Sequence, residues 1–291
     1  MLAKLPVSKQ NQEHSLESTL LPTSIDLVGS KAFQAANYHL NTGGSRVRFS
    51  IVKALSERLH IAESDSIKLA SSVELLHNAS IVHDDLMDKD AYRRNAPTVW
   101  SKYGQETAVC CGDLFISSAF LHCSRLNEQN KIGQCIQLLS QSIEKTIYGQ
   151  CLDVDQQAWS CLDNENYCKS VIQKTIPLLV LSFELPLAYS GIAYPSNQVR
   201  ETVTHFALAY QILDDIEDRV ADQEVGRSNY VSLLSQTMNS HEAEAMACEK
   251  ARYLIRQCET HDRRLPEFAT GILTPGIKQL NLKLDRLSKS Y

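Results

Sequence analysis

Chain breakers are scarce in this sequence: there are 11 glycines and 8 prolines among 291 residues, below the usual ~7% and ~5%. From Ser45 to Ala96 there is neither. A β-sandwich or barrel needs turn signals every ~8–12 residues, so an all-β fold is excluded and helices remain. Positive charge is also in deficit. Lys plus Arg number 29 against 34 Asp plus Glu, a formal charge of −5, which leaves no basic footprint for nucleic acid. No stretch of 18 uninterrupted apolar residues occurs, so no transmembrane segment is expected. The polar start MLAKLPVSKQNQEHS has no apolar signal-peptide core, and a cytoplasmic location is expected. The nine cysteines are odd in number and contain no CxxC pair, a poor framework for disulfides or structural zinc. They read as small buried hydrophobes in a reducing compartment.

What is present suits a folded, helical protein. Hydrophobic residues make up 43% and charged residues 22%, a globular balance. Residues 1–24 are polar and aperiodic with two prolines, and are expected to be a flexible N-terminal arm. Residues 25–291 read as one helical domain, because no low-complexity linker or fixed-period repeat divides them. Glycine and proline marks cut this region into segments of roughly 10 to 30 residues, the size of single helices or helix pairs. From Ser66 to Met87, Ile67, Ala70, Val73, Leu76, Ala79 and Val82 form one apolar stripe, widened by Leu69 and Leu75, with Asp65 the expected N-cap.

Two segments echo each other: Ile81 to Asp88 and Gln211 to Asp218 are both apolar helical turns that end in Asp-Asp-x-x-Asp. At about 100° per residue, Asp84 and Asp88 point within about 40° of one another, with Asp85 flanking. Asp214, Asp215 and Asp218 repeat the pattern. Like charges at i,i+4 cost a helix about 0.2–0.5 kcal/mol per pair even on a wet surface, so something cationic should compensate. Aspartates are hard oxygen ligands, and without His or Cys at ligand spacing the ion of choice is magnesium, which keeps waters and shares substrate phosphates. One such cluster alone could equally be an acidic surface turn; two copies on apolar helices favour the metal.

Around the first cluster, His77 lies on the same helical stripe as Asp84 and Asp88, where a structural hydrogen bond is the bland alternative. Arg93 and Arg94 follow it, either as helix-surface ion-pair partners or as diphosphate ligands. Gly43-Gly44-Ser45-Arg46-Val47-Arg48 sets two arginines behind a flexible turn at a helix start, a place suited to an anion. Lys174, Thr175 and Gln211 are polar groups in otherwise apolar segments.

Together these residues resemble the trans-type polyprenyl synthetase, or isoprenyl diphosphate synthase, family over residues 40–235. Gly43 to Arg48 is similar to its GGKxxR; Glu74-Leu-Leu-His77 with His83 to Asp88 to its first aspartate-rich motif; and Arg93 to Thr98 to RRGxPT. Gly112-Asp113, Gly149 to Asp153 and Lys174-Thr175 match further landmarks, and Tyr210 to Asp218 resembles FQxxDDxxD. The resemblance implies an all-α helical bundle of isoprenoid synthase type around a deep central cavity, with the two aspartate clusters facing across its mouth, and a homodimer. It implies a magnesium-dependent prenyltransferase that joins an allylic diphosphate to isopentenyl diphosphate. Magnesium would be held by Asp84, Asp88 and Asp214, with Asp85 and Asp215 beside them in the catalytic motifs. The allylic diphosphate would lie near Arg93, Lys174, Thr175 and Gln211, and isopentenyl diphosphate on Arg48, His77 and Arg94, with Arg227 also on the substrate side.

The chain departs from the pattern in places. Ser45 stands for the lysine of GGKxxR, Asn95 for the glycine after the arginine pair, Trp100 for a histidine, and Arg227 for a lysine after a shortened loop. These departures keep three alternatives in view: a terpene synthase or cyclase, a transferase to a non-standard acceptor, and a non-catalytic partner subunit of a synthase. Ala79 and Ser80, four and five residues ahead of Asp84, are small. A tunnel one helical turn deeper would therefore stay open, and a product of twenty carbons or more is expected.

Overall fold

The computed structural model describes residues 20–21, 29–154, 164–225 and 229–288. Among these, eleven helices and one two-residue hairpin carry the fold: α1 (Lys31–Asn41), α2 (Val47–Arg58), α3 (Glu63–Met87), β1 (Tyr92–Arg93), β2 (Ala96–Pro97), α4 (Val99–Tyr103), α5 (Gln105–Ser124), α6 (Gln129–Val154), α7 (Asn164–Ser190), α8 (Ser196–Val225), α9 (Tyr230–Leu234), α10 (Ser240–Asp262) and α11 (Thr274–Ser288). The all-α expectation holds. The chain forms two compact units, residues 1–143 with 181–193 and residues 144–180 with 194–291, and α6 and α7 contribute residues to both.

In the first unit α3 is the central element and packs most extensively on α5. The sequence shows one apolar stripe on α3, yet Ser71, Ser72, Glu74, Asn78 and Asp85 are buried as well, so the helix is enclosed nearly all round. Apart from Ser71, whose Oγ has no hydrogen-bond partner among the described residues, these buried polar groups find partners, as burial requires. Ser72 Oγ lies 2.9 Å from Ala119 O on α5. Glu74 receives Arg46 Nη1 at 3.2 Å and the backbone N–H of Phe49 at 3.3 Å.

Asp65 is not the N-cap. The helix starts two residues earlier, at Glu63, and Asp65 is buried in its first turn, accepting from Tyr189 Oη at 2.5 Å, Lys68 Nζ at 2.9 Å and Asn127 N at 3.3 Å. A carboxylate there still complements the positive end of the helix dipole. Helix α5 meets the length and composition of a membrane span, although no uninterrupted apolar run marks it in the sequence. Its Cys111, Phe115, Ala119 and Cys123 are nonetheless fully buried in the protein.

The second unit is built on α8, which packs chiefly against α10. A capping box starts α10, with Glu242 N donating to Asn239 Oδ1 at 3.0 Å and Asn239 N to Glu242 Oε2 at 3.3 Å. Glycine is required at Gly149 on α6: a Cβ there would lie 2.5 Å from the carbonyl carbon of Gln173 and 2.6 Å from Lys174 N on α7. Cys111, Cys123, Cys135, Cys248 and Cys258 are buried, in line with their reading as small hydrophobes, whereas Cys110 and Cys151 are exposed.

Candidate active site

The first aspartate cluster sits in the last turn of α3 and at its C-cap, Asp88. That turn contains no basic residue, so Asp84 and Asp88 add negative charge to the negative end of the helix dipole. Asp84 is half-buried and Asp88 exposed. Asp85 is oriented differently. It is 2% exposed and accepts from Arg93 Nε at 2.7 Å; burial pushes its carboxyl up from the ordinary value while the charges of Arg93 and Arg94 oppose that rise. Asp85 is therefore committed to an internal ion pair, which leaves Asp84 and Asp88 as the cluster's outward carboxylates.

Arg93 and Arg94 lie on the β1–β2 hairpin, paired Tyr92 to Pro97 and Arg93 to Ala96. The two turn residues, Arg94 and Asn95, have φ of 54° and 62°, the left-handed pair that a two-residue hairpin of this hand requires. Asn tolerates that conformation better than most side chains, which accounts for Asn95 where the resembled family has glycine. Trp100 also has a local role: its Nε1 donates to Asp90 O at 2.8 Å, alongside Thr98 Oγ1 at 2.6 Å, and closes the loop under the hairpin.

A cationic group lies further back on the same unit. Arg94 donates to Gly43 O and its guanidinium is 3.1 Å from where a Gly44 Cβ would stand, so the glycine pair makes room for it. The His77 imidazole is held well below its ordinary value, first by burial and then by Arg48 and Arg94; it is neutral at pH 7 and sits amid guanidinium charge. The structure thus brings Arg48, His77 and Arg94 together. Arg46, by contrast, is engaged with Glu74 and with Leu40 O at 2.9 Å. Ala79 is buried, and Ser80 is half-buried with its hydroxyl on His77 O at 2.8 Å. The His83 ring packs directly on Gly112, where a Cβ would fall 2.1 Å from His83 Nε2.

The second cluster lies on α8 and repeats the division of labour. Asp215 is 3% exposed. Its carboxylate accepts from Tyr167 Oη at 2.8 Å, Gln211 Nε2 at 2.8 Å and Tyr230 N at 2.7 Å. Burial raises its pKa to about 6 against the pull of those donors. Gln211 therefore buttresses Asp215. Asp214 is paired with Lys283 of α11, whose ammonium also lies 2.7 Å from Glu217 Oε2; Arg286 is the second partner of Glu217. Asp218 is pushed up by burial and by the charges of Asp214 and Asp222. Lys174 and Thr175 are half-buried on α7 beside the close α6 contact at Gly149. Arg227 lies outside the described residues.

No three His, Cys, Asp or Glu side chains among the described residues converge as a preformed metal cage. The donor chemistry nevertheless fits a hard divalent cation that completes its shell with water and phosphate oxygens, and a stand-in cation, the Lys283 ammonium, already rests on Asp214. Lys283 and Tyr167 are contributors that carry no motif of their own. Lys283 is 69 positions from Asp214, and only its i,i+3 spacing from Arg286 on an amphipathic segment hints at a shared role.

A model of the polyprenyl synthetase family matches residues 30–249. The geranylgeranyl diphosphate synthase of Methanosarcina mazei is 29% identical over 198 residues, which cover 66% of this chain and 60% of that protein. The geranylfarnesyl diphosphate synthase of the same organism is 30% identical over 226 residues, 76% of this chain and 74% of that protein. In structure, the geranylgeranyl pyrophosphate synthetase of Geoglobus acetivorans superposes with a TM-score of 0.78 at 22% identity, covering 96% of this chain and 98% of its own. The chain belongs to the polyprenyl synthetase family.

Proposed function

We propose that the protein is a magnesium-dependent prenyltransferase that condenses an allylic diphosphate with isopentenyl diphosphate into a trans-prenyl diphosphate of twenty carbons or more. The observation that supports this most is the repeated arrangement of the two clusters. In each, the middle aspartate is buried and fixed by donors, which sets apart its neighbours, Asp84 and Asp88 in one unit and Asp214 in the other, as the carboxylates available to a metal.

Those three carboxylates would hold magnesium, which when bound offsets the charge of a departing diphosphate. The chain's own groups do the rest. Arg93, steadied by Asp85, and Lys174 add fixed positive charge to the same leaving group. Arg48 and Arg94 grip the second diphosphate with paired N–H donors, and neutral His77 donates to it without adding charge. The apolar side chains of α3 around Ala79 and Leu76 accept the hydrocarbon tail and keep water from an allylic cation.

Purified protein incubated with magnesium, isopentenyl diphosphate and starters of increasing length, followed by mass analysis of the dephosphorylated products, tests the reading. Elongated all-trans alcohols are expected. Cyclic or unelongated products from the allylic starter alone would replace condensation with cyclisation or hydrolysis.

A further inference from the structure

Lys283 occupies an unusual position for a lysine on a terminal helix. Its side chain is 13% exposed, its ammonium touches both Asp214 and Glu217, and it lies 5.8 Å from the centroid of the Tyr210 ring. Asp214, Asp215, Glu217, Asp218 and Asp222 place five carboxyl groups within three turns of α8, so a resident cation there relieves like-charge repulsion. Arg286 binds Glu217 only from the outside, at 68% exposure.

We propose that Lys283 is a built-in counter-ion of the second aspartate cluster, holding Asp214 in the metal-free protein and releasing it to a divalent cation. This rests on the reading of Asp214 as a metal ligand. The geometry suits an exchange. The ammonium has two carboxylate partners, so it can leave Asp214 and stay on Glu217, losing one contact. A lysine fits this task better than an arginine, because its point charge on a flexible stem moves without breaking a fixed fork of donors, and the aromatic face of Tyr210 stays near the stem throughout. The consequence is competition: the ammonium weakens metal binding to the empty protein and stabilises that empty form.

Mn²⁺ binding followed by electron paramagnetic resonance without substrate tests this, in an Asp84→Asn, Asp88→Asn background that silences the first cluster. Lys283→Gln should bind Mn²⁺ about threefold to tenfold more tightly than its parent, and its metal-free form should melt at a lower temperature. Lys283→Arg, which keeps the charge, should bind no more tightly than the parent. Equal or weaker binding by Lys283→Gln overturns the proposal. Asp214→Asn in the same background separates the two readings: it should lose Mn²⁺, and unchanged binding there would overturn the metal assignment itself.

A measurement on the unaltered protein covers the case in which Lys283→Gln does not fold. Amine labelling of Lys283, read by peptide mass spectrometry at fixed pH, should rise at least about twofold on adding Mn²⁺, because the ammonium gives up one of its two carboxylate contacts. No change in labelling overturns the exchange.

Discussion

Arg93 Nε donates to Asp85 Oδ1 at 2.7 Å, so the middle carboxylate of the first aspartate cluster is neutralised by the hairpin that follows it in the chain. Removing the guanidinium leaves a buried carboxyl without its counter-charge. Arg93 is 40% exposed, so solvent screening limits the loss, and Arg93→Ala should destabilise the fold by about 1–2 kcal/mol. Thermal melting gives the stability change, and turnover of an allylic substrate should fall far more than stability does.

Asp84→Ala should behave differently. It removes negative charge from the negative end of α3, a gain of about 0.3–1 kcal/mol, so the melting temperature should fall less than in Arg93→Ala. Activity, in contrast, should disappear if Asp84 holds magnesium as proposed. A single sample read by circular dichroism and by product formation separates the two effects.

Asp215 gives the fold a pH dependence of definite sign. Its carboxyl titrates near 6 in the folded protein, raised from 3.8 by burial, so its stabilising contribution is full below pH 3.8 and is lost as pH rises through about 6. The melting temperature of the wild type should therefore fall relative to that of Asp215→Asn between pH 5 and pH 7.5. A constant difference across that range would mean that the carboxyl does not titrate there.

Two glycine substitutions should differ in severity. A Cβ at Gly112 meets the ring of His83, a side chain that can turn aside, whereas one at Gly149 meets the backbone of Gln173 and Lys174. Gly149→Ala should cost about 1–3 kcal/mol or more, exceed the cost of Gly112→Ala, and depress activity through displacement of Lys174. Denaturant midpoints rank the pair.

Ala79→Phe should shorten the product. Ala79 is buried one turn ahead of Asp84, and a ring there would narrow the space proposed for a growing tail. Chain-length analysis by mass spectrometry reads the outcome directly; an unchanged distribution would place the floor elsewhere.

Local pattern carried much of this in the sequence. The helices around Ala79 and Ile212 were legible from apolar spacing, and the pairing of Asp84 with Asp88 from helical geometry. What local pattern could not show was the partner of each polar residue. Asp65 has the composition of a cap, but its principal partner, Tyr189, is 124 residues away. Arg46 and Arg48 look equivalent in sequence; a left-handed backbone at Arg46, φ 49°, accompanies its turn toward Glu74. Lys283 has no motif at all, because its role is set by how α11 meets α8.

Helix α3 is acidic at both ends, with Glu63 and Asp65 in its first turn and Asp84 and Asp88 at its close. The first end is in electrical balance with its dipole and tied down by Tyr189; the second is in deficit. Such a helix should open from one side. Amide hydrogens near Met87 should exchange early in the ligand-free protein and those near Leu69 last, and a cation at the close of the helix would slow exchange there first. The rod that positions the site would then also report its occupancy, turn by turn, along 25 residues.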